Sequence, residues 1–306
     1  MTSEREPLGT LVVLAGPTAS GKTAAAIELA QHFGTAVISV DSRQFYHAMR
    51  IGTARPTTEE LRGVPHHFVG HMDLVQEWSA GAFAQAAEPV LQELIARHGI
   101  AIMAGGSGLY FDAVIKGLPN AASQDTRVRK ELQAWYRSDG LEALLAELKA
   151  ADPEAWERID RNNPQRVLRA LEVIRVSGKK FSERGGMRSD RTDIRIVRLA
   201  IDLDREELYQ RIDARVDRMV QAGLVEEARS LLPFRHLNAL RTVGYRELFE
   251  HFDGKHSLEE AIALMKQRTR NYAKRQLTWL KREKGWAWSR PDDHQARIKH
   301  IEAARH

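Results

Sequence analysis

The chain has 306 residues, 46 Lys and Arg against 41 Asp and Glu, a net charge of +5 and no cysteine. At about 100–200 residues per domain, this length fits one large domain or two modest ones, and 43% hydrophobic with 28% charged residues argues against a mainly disordered chain. The missing cysteines exclude a disulfide scaffold, a thiol nucleophile and any Cys-ligated zinc or iron–sulfur site.

Thr10 to Ala15 (TLVVLA) is a short apolar, β-branched run and reads as a buried parallel strand ending at Gly16. Gly16-Pro17-Thr18-Ala19-Ser20-Gly21-Lys22-Thr23 follows and matches G-x-x-x-x-G-K-[ST], placed between that strand and a helix predicted over Ala24–Phe33. The spacing has a physical reason. Gly16 and Gly21 let the backbone wrap around an anion, and unpaired N–H groups at the helix start favour phosphate there. Lys22 supplies a mobile cation, and the Thr23 hydroxyl can hold Mg²⁺. The loop implies a polyphosphate without fixing its chemistry: a nucleoside triphosphate, or a diphosphate that leaves as one unit. No Asn-Lys-x-Asp guanine signature and no kinase-type His-Arg-Asp loop is present.

A second buried strand, Ala36–Val40, closes on Asp41. His66-His67 has no metal-type partners at useful spacing and reads as structural. A helix is predicted over Gly81–His98 despite Pro89, and a third buried strand, Ile100–Ala104, closes on Gly105-Gly106. Ligands of open α/β sheets sit beyond the carboxyl ends of the strands. Three such ends, the phosphate loop, Asp41-Ser42-Arg43-Gln44 and Gly105-Gly106-Ser107-Gly108, therefore point to one site. Asp41 suits a general base, a metal ligand of the Walker-B kind, or a plain turn or cap residue. Gly105 and Gly106 allow close backbone approach or a tight turn, and Ser107 can donate a hydrogen bond.

From Val128 to about Gly178 the periodicity is helical with no buried strand. Ser177 to Arg191 is loop-like, with Gly178, Gly185 and Gly186 among basic residues. Ile194–Leu203 resumes a strand, and everything after Arg205 reads as helices with breaks near Pro233, Gly244 and Gly254. The expected fold is α/β: a P-loop NTPase-like parallel sheet core over 1–118 and 195–306, with a helical insertion over 119–194 and C-terminal helices.

Charge is concentrated locally. Gln165 to Lys180 carries Arg166, Arg169, Arg175, Lys179 and Lys180 against Glu172. Lys266 to Lys284 carries eight basic residues against Glu283, with Tyr272 and Trp279 interleaved. Between Arg241 and Lys284, eleven basic and six acidic residues account for the whole net +5. Cations with interleaved aromatics fit single-stranded RNA loop recognition. The alternative is a solvated basic helix whose Trp279 lies in a buried stripe with Leu277 and Leu280. No run of about 18 apolar residues occurs, so no membrane span is expected. The opening Glu4, Arg5 and Glu6 do not suit a signal peptide, and a cytoplasmic location is expected.

With these segments in order, the chain resembles the tRNA dimethylallyltransferase (tRNA isopentenyltransferase) family over almost its whole length. The resemblance rests on GPTASGKT from Gly16, DSRQFY from Asp41, IGTARP from Ile51, PHH from Pro65, GGSGLY from Gly105, NPQRVLRALEV from Asn163, RTVGYRE from Arg241 and KRQLTW from Lys274. It implies transfer of a dimethylallyl group from dimethylallyl diphosphate, with Mg²⁺, to the exocyclic amine of the adenosine just 3′ of the anticodon. In this family the phosphate loop, here Thr18 to Thr23, cradles the leaving diphosphate, and Arg215 matches an arginine that helps bind it. Asp41 matches the general base, and Ser107 a hydroxyl position near the amine. Asp41, Ser42, Arg43 and Gln44 match contacts to the target adenosine. Arg129, the run Gln165-Arg166-Val167-Leu168-Arg169 and the run Arg241-Thr242-Val243-Gly244-Tyr245-Arg246 match tRNA-contacting positions. The partners implied are the tRNA anticodon stem-loop and the diphosphate donor, with no membrane and a monomeric enzyme. Competing readings are a P-loop small-molecule kinase using ATP, an ATP-driven RNA-binding module, and an enzyme that prenylates free adenine nucleotides.

Overall fold

The computed structural model describes residues 7–118, 125–183 and 190–305. Pro119, Gly185, Gly186 and the opening Glu4, Arg5 and Glu6 lie outside the described residues. The chain divides into two compact units, Met1–Ile115 with Arg191–His306, and Lys116–Asp190.

The first unit begins with β1 (Thr10–Ala15), α1 (Lys22–Phe33), β2 (Val37–Val40), β3 (His66–His67), α2 (Ala80–His98), β4 (Ile100–Gly105) and α3 (Gly108–Ile115). The second unit holds α4 (Thr126–Ala151), α5 (Pro153–Arg158) and α6 (Pro164–Ser177). The first unit then resumes with β5 (Arg195–Ile201), α7 (Arg205–Gln221), α8 (Leu224–Leu231), α9 (Tyr245–Phe252), α10 (Leu258–Arg282), β6 (Ala287–Ser289) and α11 (His294–Arg305).

Among the described residues the sheet has six strands in the order β3-β2-β4-β1-β5-β6, every pair parallel. Apolar runs without alternation suit such a sheet because both faces are covered. Leu11 and Val13 of β1 pack with Phe83, Leu91, Met103 and Phe111 on one face. Val12 and Leu14 pack with Ala26, Leu29, Ile102 and Ile298 on the other. Full burial of each large aliphatic side chain contributes about 1.5–3 kcal/mol. Pro89 is tolerated inside α2 because it and Gln85, whose carbonyl loses its helical partner, both lie on the exposed face.

One expectation needs correction. The segment after Arg205 is not all helix: Ala287–Ser289 forms β6, which pairs Leu199 with Ala287 and Ile201 with Ser289. Three residues are too few to carry a strand period. His66-His67, read as structural, forms the edge strand β3 beside β2. The helical run from Val128 to Gly178 is three helices. It breaks at Asp152, whose buried carboxylate caps α5 at Ala155 N (3.0 Å) and accepts from Ser182 N and Oγ (both 2.7 Å).

Candidate active site

The phosphate loop joins β1 to α1, and the helix starts at Lys22, two residues earlier than the sequence suggests. Gly21 takes φ +91° at the N-cap and no side chain caps the helix, so its first N–H groups are left for a ligand. The Lys22 ammonium folds back over the loop and donates to Pro17 O at 2.7 Å. Burial pulls its pKa down to about 8; the Arg215 charge adds to this and the Asp41 charge opposes it. The Ser20 hydroxyl is buried in the loop without a partner.

At the next strand end, Asp41 Oδ1 accepts from Arg43 N at 3.0 Å, so this carboxylate shapes its own turn as well as facing the site. Ser107 Oγ accepts from Ser42 N at 3.4 Å. Gly105 is required here: a Cβ would stand 2.0 Å from Val40 O, which accepts from both Gly106 N and Ser107 N. Arg43 donates to Asn238 O (3.0 Å) and Ala239 O (3.1 Å), and Gln44 Nε2 to Thr53 O (3.1 Å) and Ala54 O (3.2 Å). Those two side chains brace neighbouring segments.

Two supports were given no role in the sequence analysis. Gln276 of α10 accepts from Thr18 N at 2.8 Å and donates to Gly106 O at 3.0 Å, tying the phosphate loop to the end of β4. Glu227 of α8 accepts from three consecutive backbone N–H groups, Arg50 (3.1 Å), Ile51 (2.7 Å) and Gly52 (2.9 Å), and from the Tyr245 hydroxyl (2.7 Å). Tyr245 is therefore a fully buried anchor, and its side chain is not available to a ligand. The loop that Glu227 holds presents Ala54 O, which accepts from Arg215 Nη2 at 3.3 Å. Arg215 also donates to Thr18 Oγ1 at 3.4 Å. Burial lowers its pKa, and the Asp41 charge works in the other direction.

Three cavities meet at Arg215. The first, of ≈ 930 Å³, is bordered by Ser20 to Thr23 and by the cations Arg50, Arg55, Arg211 and Arg218. The second is a throat of ≈ 70 Å³ bordered by Lys22, Thr23, Asp41, Gly105, Gly106 and Gln276. The third, of ≈ 530 Å³, shares Thr18, Asp41 and Thr53 with the throat. It is also bordered by Ser42, Arg43, Arg241, Thr242, Val243, Gly244 and Arg246. Several cations of the basic segment are committed to carboxylates of the fold: Lys266 to Asp217 and Arg270 to Asp213 at 2.6 Å each, and Arg268, which also borders the third cavity, to the buried Glu247. Trp279 packs against the core, stacking on Phe111 with its Nε1 donating to Asp112 at 3.3 Å.

In the second unit, Arg129 donates to Glu172 and to Gln165, both at 2.8 Å, and Arg169 pairs with Glu172 at 3.1 Å. Val167 and Leu168 are buried in that unit's own core, so their side chains support α6 from within, while Arg166 is exposed.

Thr23 is exposed toward the first two cavities. Among the described residues no group of three His, Cys, Asp or Glu could hold a metal, and no helix is long and apolar enough to cross a membrane.

A family model described as IPP transferase matches residues 44–283. A curated tRNA dimethylallyltransferase from Phocaeicola vulgatus is 42% identical, over 97% of this chain and 99% of the relative. One from Christiangramia forsetii is 43% identical, over 94% and 95%. Among solved structures, the full-length tRNA isopentenylpyrophosphate transferase from Bacillus halodurans superposes with a TM-score of 0.70 at 36% identity, covering 96% of this chain and 97% of that one. A eukaryotic dimethylallyltransferase acting on tRNA gives a TM-score of 0.79 at 26% identity, covering 96% and 77%.

Proposed function

The chain belongs to the IPP transferase family, and we propose on that footing that it transfers a dimethylallyl group from dimethylallyl diphosphate to tRNA. The acceptor is the exocyclic amine of the adenosine just 3′ of the anticodon. One observation carries the assignment of roles: Asp41 and Lys22 border the same narrow throat, which shares Lys22 and Thr23 with the cavity at the phosphate loop and Asp41 and Thr18 with the cavity bordered by Ser42 and Arg241.

The diphosphate lies on the α1 N-terminus with Lys22 and Arg215, and the prenyl carbon reaches the throat. The amine enters from the cavity that Asp41 shares with Ser42 and Arg241. Its nitrogen bonds to the allylic carbon as the carbon–oxygen bond to diphosphate breaks, and Asp41 takes the proton released. The amine is a poor nucleophile because its lone pair is delocalised into the ring, so stabilising the departing diphosphate carries much of the catalysis. Mg²⁺ suits the donor set. It favours oxygen ligands, few of them from protein, with substrate phosphates and waters completing its shell. The Thr23 hydroxyl would hold it, and the ion would supply charge neutralisation to the diphosphate.

The enzyme acts as a monomer, with its core over 1–118 and 195–306. The helical insertion, 119–194, contributes RNA contacts through Arg129, Gln165, Arg166 and Arg169. Arg166→Ala is expected to lower the slope of log affinity against log salt by about one, measured by titrating an anticodon stem-loop at several salt concentrations. An unchanged slope removes Arg166 from the phosphate contacts.

The function is tested by incubating the protein with labelled dimethylallyl diphosphate, Mg²⁺ and unmodified tRNA. Label is expected in the RNA. Phosphate moved from ATP, with no prenyl group reaching RNA, would establish the kinase or ATPase reading instead.

A further inference from the structure

Helix α10 carries Arg268, Tyr272 and Gln276 at four-residue spacing, which stacks them along one face at about 6 Å per step. Gln276 ends on the phosphate loop and the end of β4. Arg268 and Tyr272 border the third cavity, together with Asp41. Tyr272 therefore sits one helical turn from the leaving-group loop, on the side from which an acceptor enters.

Among the described residues it is the one aromatic side chain on that cavity's lining. It is 36% exposed, so its ring can be reached. It pairs with no other protein ring among the described residues, and the Arg275 guanidinium lies 5.6 Å from its centroid, which steadies its orientation. A single exposed aromatic on a protein surface usually needs no explanation. This one lines the same cavity as the proposed base, where an extruded nucleobase needs a flat apolar surface to replace the stacking it loses.

We infer that Tyr272 is the platform on which the acceptor base stacks, with its exocyclic amine turned toward Asp41. The inference rests on the proposed RNA prenyl transfer and assigns that site a residue that positions the base by direct contact.

The test uses two anticodon stem-loops, one with adenosine at the acceptor position and one abasic there. Tyr272→Ala is expected to weaken binding of the adenosine RNA by about 5- to 100-fold, the range of base–aromatic stacking, and to change the abasic RNA by less than about twofold. Tyr272→Phe should restore most of the lost affinity, and KM for the diphosphate donor should not move with the Ala variant. Equal losses on both RNAs, or a Phe variant as weak as the Ala variant, would overturn the inference. So would a wild-type protein that binds the two RNAs equally well. If instead the wild type prefers the adenosine RNA but moves no prenyl group, the transfer reading fails while the base contact still registers in the binding difference.

Discussion

Asp41→Asn is expected to lower the rate of prenyl transfer by about 10²–10⁴-fold while the Kd for the anticodon stem-loop stays within about threefold. The choice of Asn follows from the turn. Asp41 Oδ1 accepts from Arg43 N, and an Asn side chain keeps that acceptor. The Asp41–Gln44 segment then keeps its shape, Ser42 N stays on the Ser107 hydroxyl, and Arg43 stays on Asn238 and Ala239. Only basicity and charge are lost. Asp41→Ala breaks the turn as well, so it should add a loss of RNA affinity that the Asn variant lacks. The charge has one further consequence. Asp41 opposes the fall of the Lys22 pKa, so removing it leaves Lys22 less protonated near neutrality. Single-turnover assays at about pH 6.5 keep Lys22 charged and isolate the proton transfer. An equal loss of rate and affinity in the Asn variant would make Asp41 a binding residue, and an unchanged rate would assign the proton to another acceptor.

The phosphate loop was legible because its residues report local backbone geometry: glycines and a lysine at fixed spacing between a strand and a helix. The three strand ends were legible for a related reason, since apolar runs ending on polar or flexible residues mark where parallel strands stop. What could not be read there depends on partners far away in the chain. Gln276 meets Thr18 across 258 positions, and Glu227 meets Arg50, Ile51 and Gly52 across 175 to 177, through backbone atoms that carry no side-chain signature. Strand β6 exists because β5 offers it an edge, which three residues cannot announce. A contiguous motif also hides which way each residue points. Within Gln165–Arg169, helical geometry buries Val167 and Leu168 and leaves Arg166 outside, and Tyr245 turns inward to Glu227. The net charge misleads in the same way. Lys266, Arg268 and Arg270 contribute to the +5, yet each is held by a carboxylate of the fold.

Lys22→Ala is expected to reduce kcat/KM for the diphosphate donor by about 10²–10³-fold, the usual cost of removing one preorganised group facing a developing charge. Its pH dependence is more diagnostic than the loss itself. Lys22 must be protonated to hold the diphosphate, and in the free enzyme its pKa is about 8, below the ordinary 10.5. Because kcat/KM reports groups of the free enzyme, the Lys22 titration should leave the wild-type profile level between about pH 6 and pH 7 and make it fall toward tenfold per unit above about pH 8. The sign is consistent with linkage. The folded state holds this proton less tightly than the unfolded chain, so Lys22 costs stability below its folded pKa. That cost is relieved as pH rises from about 8 toward 10.5. A bound diphosphate favours the charged form and raises the pKa, so stabilisation by inorganic diphosphate in a thermal melt should be larger at about pH 7 than at about pH 9. Lys22→Arg keeps its charge across this range and should lose the alkaline fall while remaining slower, because a planar guanidinium cannot fold back onto Pro17 O as the ammonium does. A Lys22→Arg profile that still falls near pH 8 would assign that titration to another group and remove Lys22 from the leaving-group site.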